Sequence, residues 1–324
     1  MGGRNFTFVQ ELGAFEPEGI HDQKGWQGGF YKFPDEDDLV IYFNAGIVQY
    51  RDRTILVTRK MCGSYMRDAK NEIWFWDLVN NVPTNGRKVI FGTIYGAEEH
   101  EDARAIIFKG DVLLSCCNFM QGKTFAHQII ARVNNQYQAK VPIHPAYGKN
   151  GRNIMSNTGH EKNWLWFDHG GELHCIYLSW PHTIFKMIGA TITEEFVTHP
   201  NIGHPNYGEV RGGTPPVRVG DEYFSFFHSS MPFREGKRRY FMGAYAFEAK
   251  PPFKMTRITM KPLLCGSWCD PRREGFPLVV FPCGALFNGT DWHVVGGCND
   301  CCVFWTKVPH QEMLSLMTKI PEVG

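Results

Sequence analysis

The chain has 324 residues, 43% hydrophobic and 21% charged, a size that suits one large domain or two ordinary ones. A net charge of +1 leaves no basic footprint for nucleic acid, and no run approaches the ~20 apolar residues of a membrane span. Nucleic-acid and membrane partners are therefore not expected.

The opening residues Met1–Phe6 lack the apolar stretch of a secretory leader, so the ten cysteines are expected as free thiols in a reducing cytoplasm. Cys298 and Cys301 have Cys-x-x-Cys spacing, but Cys265 and Cys269 stand one residue further apart, and no metal site is expected.

From the N-terminus onward, long amphipathic helical patterns are scarce. A different unit recurs: a polar or small-residue opening, an apolar strand, a tight turn and a second apolar strand. It runs from Asn44 to Tyr50, turns at Arg51-Asp52 and returns from Arg53 to Arg59. The second copy opens on Asp102, turns at Lys109-Gly110 and continues through Phe119. The third starts at Glu161, turns over Asp168–Gly171 and returns to Leu178. The fourth starts at Arg211, turns at Gly220-Asp221 and returns to His228. The fifth runs from Phe281, turns at Asn288-Gly-Thr290 and returns to Val295. Such turn residues tolerate the positive φ that tight hairpins demand. A helix over Val308–Thr318 ends the chain and, with the N-terminal segment, is expected to close the fold.

Hairpins recurring at this spacing predict a single all-β domain over 1–324, a five-bladed β-propeller. A two-sheet sandwich would have no reason to repeat the polar opening before each inner strand. In a propeller the innermost strands line the axis, so Asn44, Asp102, Lys162, Arg211 with Gly213, and Cys283 are expected to converge at one mouth. If extended, the strand through Asp102 and Arg104 points both side chains to one face, as an ion pair or as a working acid with its partner. The 14% aromatic content, including Trp164, Trp166 and Trp180, suits either a large core or a sugar-stacking surface.

Five short motifs, in order, carry a resemblance. They are Asn44-Ala-Gly-Ile with Arg59, Glu101-Asp-Ala-Arg104, Gly212-Gly-Thr-Pro-Pro216 with Phe227-His228, Phe281-Pro-Cys-Gly284, and Gly297-Cys-Asn-Asp300. Together they resemble the five-bladed propellers of glycoside hydrolase family 130, which contains inverting β-mannoside phosphorylases and hydrolases. The resemblance implies that Asp102 is the general acid that protonates a glycosidic oxygen. It implies substrate contacts from Asn44, Arg59, Arg104, Lys162, Arg211, His228 and Asp300, and the conspicuous loop Ser179–His182 adds His182. Lys162 and His228 would bind an anion opposite Asp102. An oligosaccharide or glycoside is the expected partner, a homo-oligomer is compatible, and no cofactor is implied beyond inorganic phosphate as co-substrate.

Glu98, Glu99 and Glu101 would raise the proton affinity of Asp102 while Arg104 would lower it, which leaves the net sign open. An ordinary inverting glycosidase needs a second carboxylate, whose place in related propeller hydrolases is held here by Asn44. The family's phosphorylases carry two arginines after the acid; Gln121 and His127 stand there, with Arg132 and Arg152 as substitutes to test. A glycosyltransferase on the same scaffold and a non-catalytic glycan-binding propeller are the alternative functions.

Overall fold

The computed structural model describes residues 26–63, 70–91, 99–119, 126–139, 162–233, 237–265 and 278–322. In chain order the strands begin with β1 (Gln27–Phe30), β2 (Val40–Tyr50), β3 (Arg53–Cys62), β4 (Lys70–Val79) and β5 (Val82–Lys88). Next come β6 (Ile90–Phe91), β7 (Glu99–Phe108), β8 (Asp111–Phe119), β9 (Ala126–Val133) and β10 (Gln138–Ala139). They continue as β11 (Leu165–His169), β12 (Glu172–Leu178), β13 (His182–Ile188), β14 (Thr191–Thr198), β15 (Val217–Val219) and β16 (Glu222–Pro232). The rest are β17 (Arg238–Glu248), β18 (Met255–Thr259), β19 (Leu264–Cys265), β20 (Val280–Phe287), β21 (Asp291–Cys298) and β22 (Cys302–Pro309). Helix α1 (His310–Leu316) and β23 (Met317–Lys319) end the chain.

These strands form five sheets arranged as the blades of a β-propeller. Blade one is β2-β3-β4-β5, blade two β7-β8-β9-β10-β6 and blade three β11-β12-β13-β14. Blade four is β15-β16-β17-β18-β23, with β19 also on β17, and blade five is β20-β21-β22-β1. All five sequence hairpins are present as the inner strand pairs, and Arg51, Lys109, Gly110, Gly220 and Gly289 take the positive φ at their turns.

Each interface between neighbouring blades has its own apolar core. Val57 and Leu114 lie in the core between blades one and two, Trp164 and Phe185 between two and three, and Phe167 and Phe247 between three and four. Phe226 and Trp292 fill the fourth-to-fifth interface, and Tyr42 with Val303 the fifth-to-first. Much of the aromatic content is spent here: Trp164 and Trp166 are 1% and 2% exposed, which makes them packing residues.

The ring closes through a strand. β1 pairs antiparallel with β22, from Gln27 opposite Lys307 to Phe30 opposite Phe304, and Tyr31 and Phe33 then enter the fifth-to-first core. The terminal helix is shorter than the sequence pattern suggests. Val308 and Pro309 continue β22 opposite Trp292 and Asp291, and Met317 leaves the helix in extended backbone. β23 then pairs with β18, which returns the chain to blade four.

Among the described residues, no helix is long and apolar enough to cross a membrane, and no group of three or more His, Cys, Asp or Glu is gathered around a metal position. Cys298 is disulfide-bonded, which corrects the expectation that all the cysteines are free thiols. Trp292 is fully buried among Phe224, Phe226, Phe287 and His310. Trp292→Ala should therefore cost about 3–5 kcal/mol, read as a lower urea midpoint at unchanged slope.

Candidate active site at the axial mouth

The site begins with a backbone irregularity. Pairing slips by a residue between Phe43 and Gly46 in β2, between Glu101 and Arg104 in β7, and between Pro282 and Gly284 in β20. Asn44 and Asp102 occupy the first two slips at φ 49° and 52°, and Asn163, just before β11, has φ 65°. Short polar side chains are the non-glycine residues that enter this left-handed region most readily, and a bulge re-aims the side chain it carries. The strands converge so closely that a Cβ on Gly284 would stand 2.3 Å from the Ile47 amide nitrogen, and one on Gly212 only 2.1 Å from the Asn163 carbonyl oxygen.

Asp102 is the focus of the cluster. Asn44 Nδ2 donates to its Oδ1 at 2.7 Å, and Arg59 Nη1 donates to the same oxygen at 3.2 Å. Its side chain is 15% exposed, neither sealed away nor open to bulk water. Burial by itself would push the carboxyl up, but Arg59, the Asn44 hydrogen bond, Arg104 and Lys162 outweigh it and hold Asp102 below the ordinary carboxylate range. The sign left open by the sequence is thus downward. Glu101, expected to repel Asp102, is itself bound to Arg59 Nη2. Arg59 also donates through Nε to Asn71 Oδ1 at 2.8 Å and lies 4.7 Å above the Phe43 ring.

Arg104 does not face the Asp102 carboxylate. The bulge breaks the two-residue alternation, so Arg104 Nη1 donates to the backbone carbonyl of Asp102 at 3.1 Å. Its Nε reaches Gly213 O on blade four's side at 2.6 Å, and Nη2 reaches Asn163 Oδ1 at 3.1 Å. The guanidinium also stacks 5.4 Å from the Phe281 ring of blade five and is 2% exposed. Arg104 is therefore placed as a tie across the axis, with each guanidinium nitrogen donating to protein.

Lys162 is exposed and acts electrostatically on Asp102, as expected for a cation at the mouth. Asp300, in the turn after β21, interacts electrostatically with Arg59 and Tyr240, which brings blade five's carboxylate to the same end. His228 is buried against Phe281 at 4.4 Å, and its Nδ1 bonds Gly212 O at 2.9 Å. Because a carbonyl only accepts, Nδ1 carries the proton and Nε2 is left as an acceptor. Burial, with Arg104 and Arg211 nearby, pushes His228 down to about 3, so it is neutral and does not hold an anion by charge. Arg211 pairs with Glu209 through Nε and Nη2 at 3.0 and 2.7 Å, exposed at the rim.

His182 does not join this cluster. It lies on β13, buried beside Tyr245 and Phe247 in the core between blades three and four, with Nδ1 2.9 Å from Phe253 O. Burial depresses its pKa to about 4, consistent with a neutral packing residue. Arg132 pairs with Asp111, at the hairpin-turn end of blade two, away from Asp102. Arg152 and Gln121, and the side chain of His127, lie outside the described residues, as do Glu98 and the side chain of Glu99.

Two partners go unnamed in the sequence analysis: Asn163 anchors Arg104 and Asn71 anchors Arg59, and Glu101, expected as a repelling neighbour of Asp102, joins Asn71 in holding Arg59. Asn163 had a usable signal, since it stands beside Lys162 where each inner strand opens. Asn71 lies on β4, the third strand of blade one, and nothing local marks it.

No protein-family model matches the chain, and no curated protein matches it either. The fold is similar to several solved structures. One is a β-1,2-mannobiose phosphorylase from Listeria innocua in complex with β-1,2-mannobiose. It is 15% identical, with TM-score 0.65 over 88% of this chain and 94% of that one. Another comes from work on the GH130 family of mannoside phosphorylases and its glycoside hydrolases that target β-1,2 mannosidic linkages in Candida mannan. It is 12% identical, with TM-score 0.66 over 84% and 85%. A third is MPT-4, a mannose phosphorylase from Leishmania mexicana in complex with phosphate, 12% identical with TM-score 0.61 over 91% of each chain. At these identities the likeness is one of fold.

Two substitutions test the site's electrostatics. Arg59→Gln removes the foremost influence that lowers Asp102, so the carboxyl should titrate at higher pH, read by carbon-13 NMR of labelled aspartate with Asp102→Asn as the assignment control. A depressed carboxylate stabilises the fold above its unfolded pKa and loses that contribution as pH falls. The variant should therefore be less stable at neutral pH, with the difference narrowing in acid. Arg104→Met leaves the acceptors on Gly213, Asp102 and Asn163 without their donor and should cost about 3 kcal/mol or more in a denaturant melt, and Arg104→Lys should not restore it, because an ammonium cannot reproduce the planar fork.

Proposed function

We propose that the protein is a glycoside-active enzyme that breaks a β-glycosidic bond with inversion, Asp102 delivering a proton to the departing oxygen. The observation that carries this reading is the placement of Asp102 on a left-handed bulge at the axial mouth, partly exposed and gripped by Asn44 and Arg59. The printed names of the fold neighbours, mannoside phosphorylases and glycoside hydrolases, support the substrate class.

With Arg59 against it, the Asp102 carboxyl is ionised at neutral pH, so acid catalysis requires it to take up a proton as the sugar is seated. A sugar ring over the carboxyl removes its remaining water, and that desolvation raises its proton affinity. The proton then passes to the glycosidic oxygen while the C1–O bond breaks towards that oxygen. The leaving group departs as a neutral alcohol and Asp102 returns to carboxylate. A nucleophile oxygen bonds C1 from the opposite face. A phosphate dianion can attack without losing a proton, whereas water must shed one. Asn44, beside Asp102, cannot accept it. Lys162 supplies a cation at the mouth for an anionic nucleophile, and neutral His228 offers an acceptor for a sugar hydroxyl.

Asp102→Asn should reduce turnover of β-mannosides by about three orders of magnitude or more while leaving the fold and sugar binding close to the parent's; its melting temperature at neutral pH should fall, because the carboxylate paired with Arg59 is lost. The assay is a panel of β-linked disaccharides including β-1,2-mannobiose, each with and without inorganic phosphate. Release of a sugar 1-phosphate only with phosphate identifies phosphorolysis, and equal rates without it identify hydrolysis. Product formed solely from an activated sugar identifies transfer instead. Undiminished turnover in Asp102→Asn would remove the acid role.

A further inference from the structure

Glu101 and Asp102 are consecutive on β7, and regular strand geometry would send them to opposite faces. Both nevertheless reach the same guanidinium, because the bulge at Asp102 and Ala103 rotates the second carboxylate back towards the first. The guanidinium is divided unequally. Glu101 takes Nη2 in the closer contact, Asp102 takes Nη1 at 3.2 Å, and Asn71 fixes Nε at 2.8 Å. Asn71 Nδ2 also reaches Glu101 Oε1 at 3.5 Å, so the anchor holds both members of the pair. The Phe43 ring lies along the guanidinium at 4.7 Å.

Resting on the acid role proposed for Asp102, we infer that Glu101 is a positioning residue that holds Arg59 between two carboxylates and so governs how much of the arginine's charge reaches Asp102. The other charged and titratable groups facing Asp102 come from every element around it. Arg104 lies on its own strand, Lys162 precedes β11, Cys116 and Cys117 lie on β8, Cys283 on β20 and His228 on β16. Burial raises the three thiols, and His228 is neutral, so none of these four carries charge at neutral pH. Asp300 acts on Arg59 from the fifth blade. Among these groups Glu101 is the carboxylate in direct contact with the arginine that Asp102 uses.

An acid that must gain a proton is hindered by an undivided cation beside it. Glu101 reduces that hindrance in two ways, by drawing Arg59 towards itself and by standing as a like charge next to Asp102. Its removal should therefore lower the proton affinity of Asp102, the opposite of what losing Arg59 does.

The test is the carbon-13 titration of the Asp102 carboxyl, which needs no substrate. In Glu101→Gln, which keeps an acceptor for Arg59 but not the charge, the Asp102 midpoint should fall by about one pH unit. Glu101→Asp keeps the charge but withdraws it from Arg59, and should give a smaller fall; it decides the matter if the first variant does not fold. An unmoved or raised midpoint in the folded variants overturns the inference. Retained turnover in Asp102→Asn would instead overturn the acid role, and leaves the titration result readable. In turnover assays the alkaline limb of kcat/KM, where activity is lost as Asp102 gives up its proton, should move with the NMR midpoint, and activity at a fixed pH on that limb should drop about tenfold when the midpoint falls by about one pH unit. Loss of activity with no movement of the limb would mark Glu101 as merely structural.

Discussion

A single guanidinium spans the axis on which the five sheets meet. Arg104 leaves blade two, binds Gly213 O beside blade four and Asn163 before blade three, and lies along Phe281 of blade five. The blades pack through the apolar cores between them, whereas the centre where their inner strands meet is polar. The cost of burying a charge is met by three acceptors, one on each nitrogen, in place of water. The same side chain carries the Asp102 carbonyl at 3.1 Å, so the geometry of the proposed acid is inherited from the tie that joins the blades. Stability and chemistry share one residue.

The first blade supplies a second layer to this arrangement. Asn44 and Arg59 both come from its inner hairpin and converge on one oxygen of Asp102. The packing is tight enough that a Cβ on Gly297 would stand 1.8 Å from Asn44 Oδ1, so the fifth blade backs the amide that grips the acid. Strands from three blades thus define the position of one carboxylate.

The hairpins are legible because their determinants are local: Lys109-Gly110, Gly220-Asp221 and Asn288-Gly-Thr290 are residues that tolerate tight turns, and Lys109, Gly110, Gly220 and Gly289 take the positive φ there. The polar opening of each inner strand was readable for the same reason, and it pointed to Asn44, Asp102 and Lys162. What the sequence hid was the bulge. Regular alternation sets Asp102 facing Arg104, while the structure gives its carboxylate to Arg59 and only its carbonyl to Arg104. His182 misled through its neighbours: Ser179-Trp-Pro-His182 looks like a mouth loop, yet it leads into the third strand of a blade, remote from the axis. The terminal helix is shorter than its pattern suggests because Val308 and Met317 fit either periodicity.

The pairing of β1 with β22 has a consequence for how such a ring is made. Gln27 meets Lys307, residues separated by nearly the whole described chain, whereas each inner hairpin joins residues close in sequence. During vectorial synthesis the hairpins find their partners as they emerge, but β1 waits until almost everything after it has been translated. Until then β1 has no strand to pair with and the seam beside blade one stands ajar. A chaperone that recognises exposed strand edges would find its target there, and the first strand to be made is among the last to be captured.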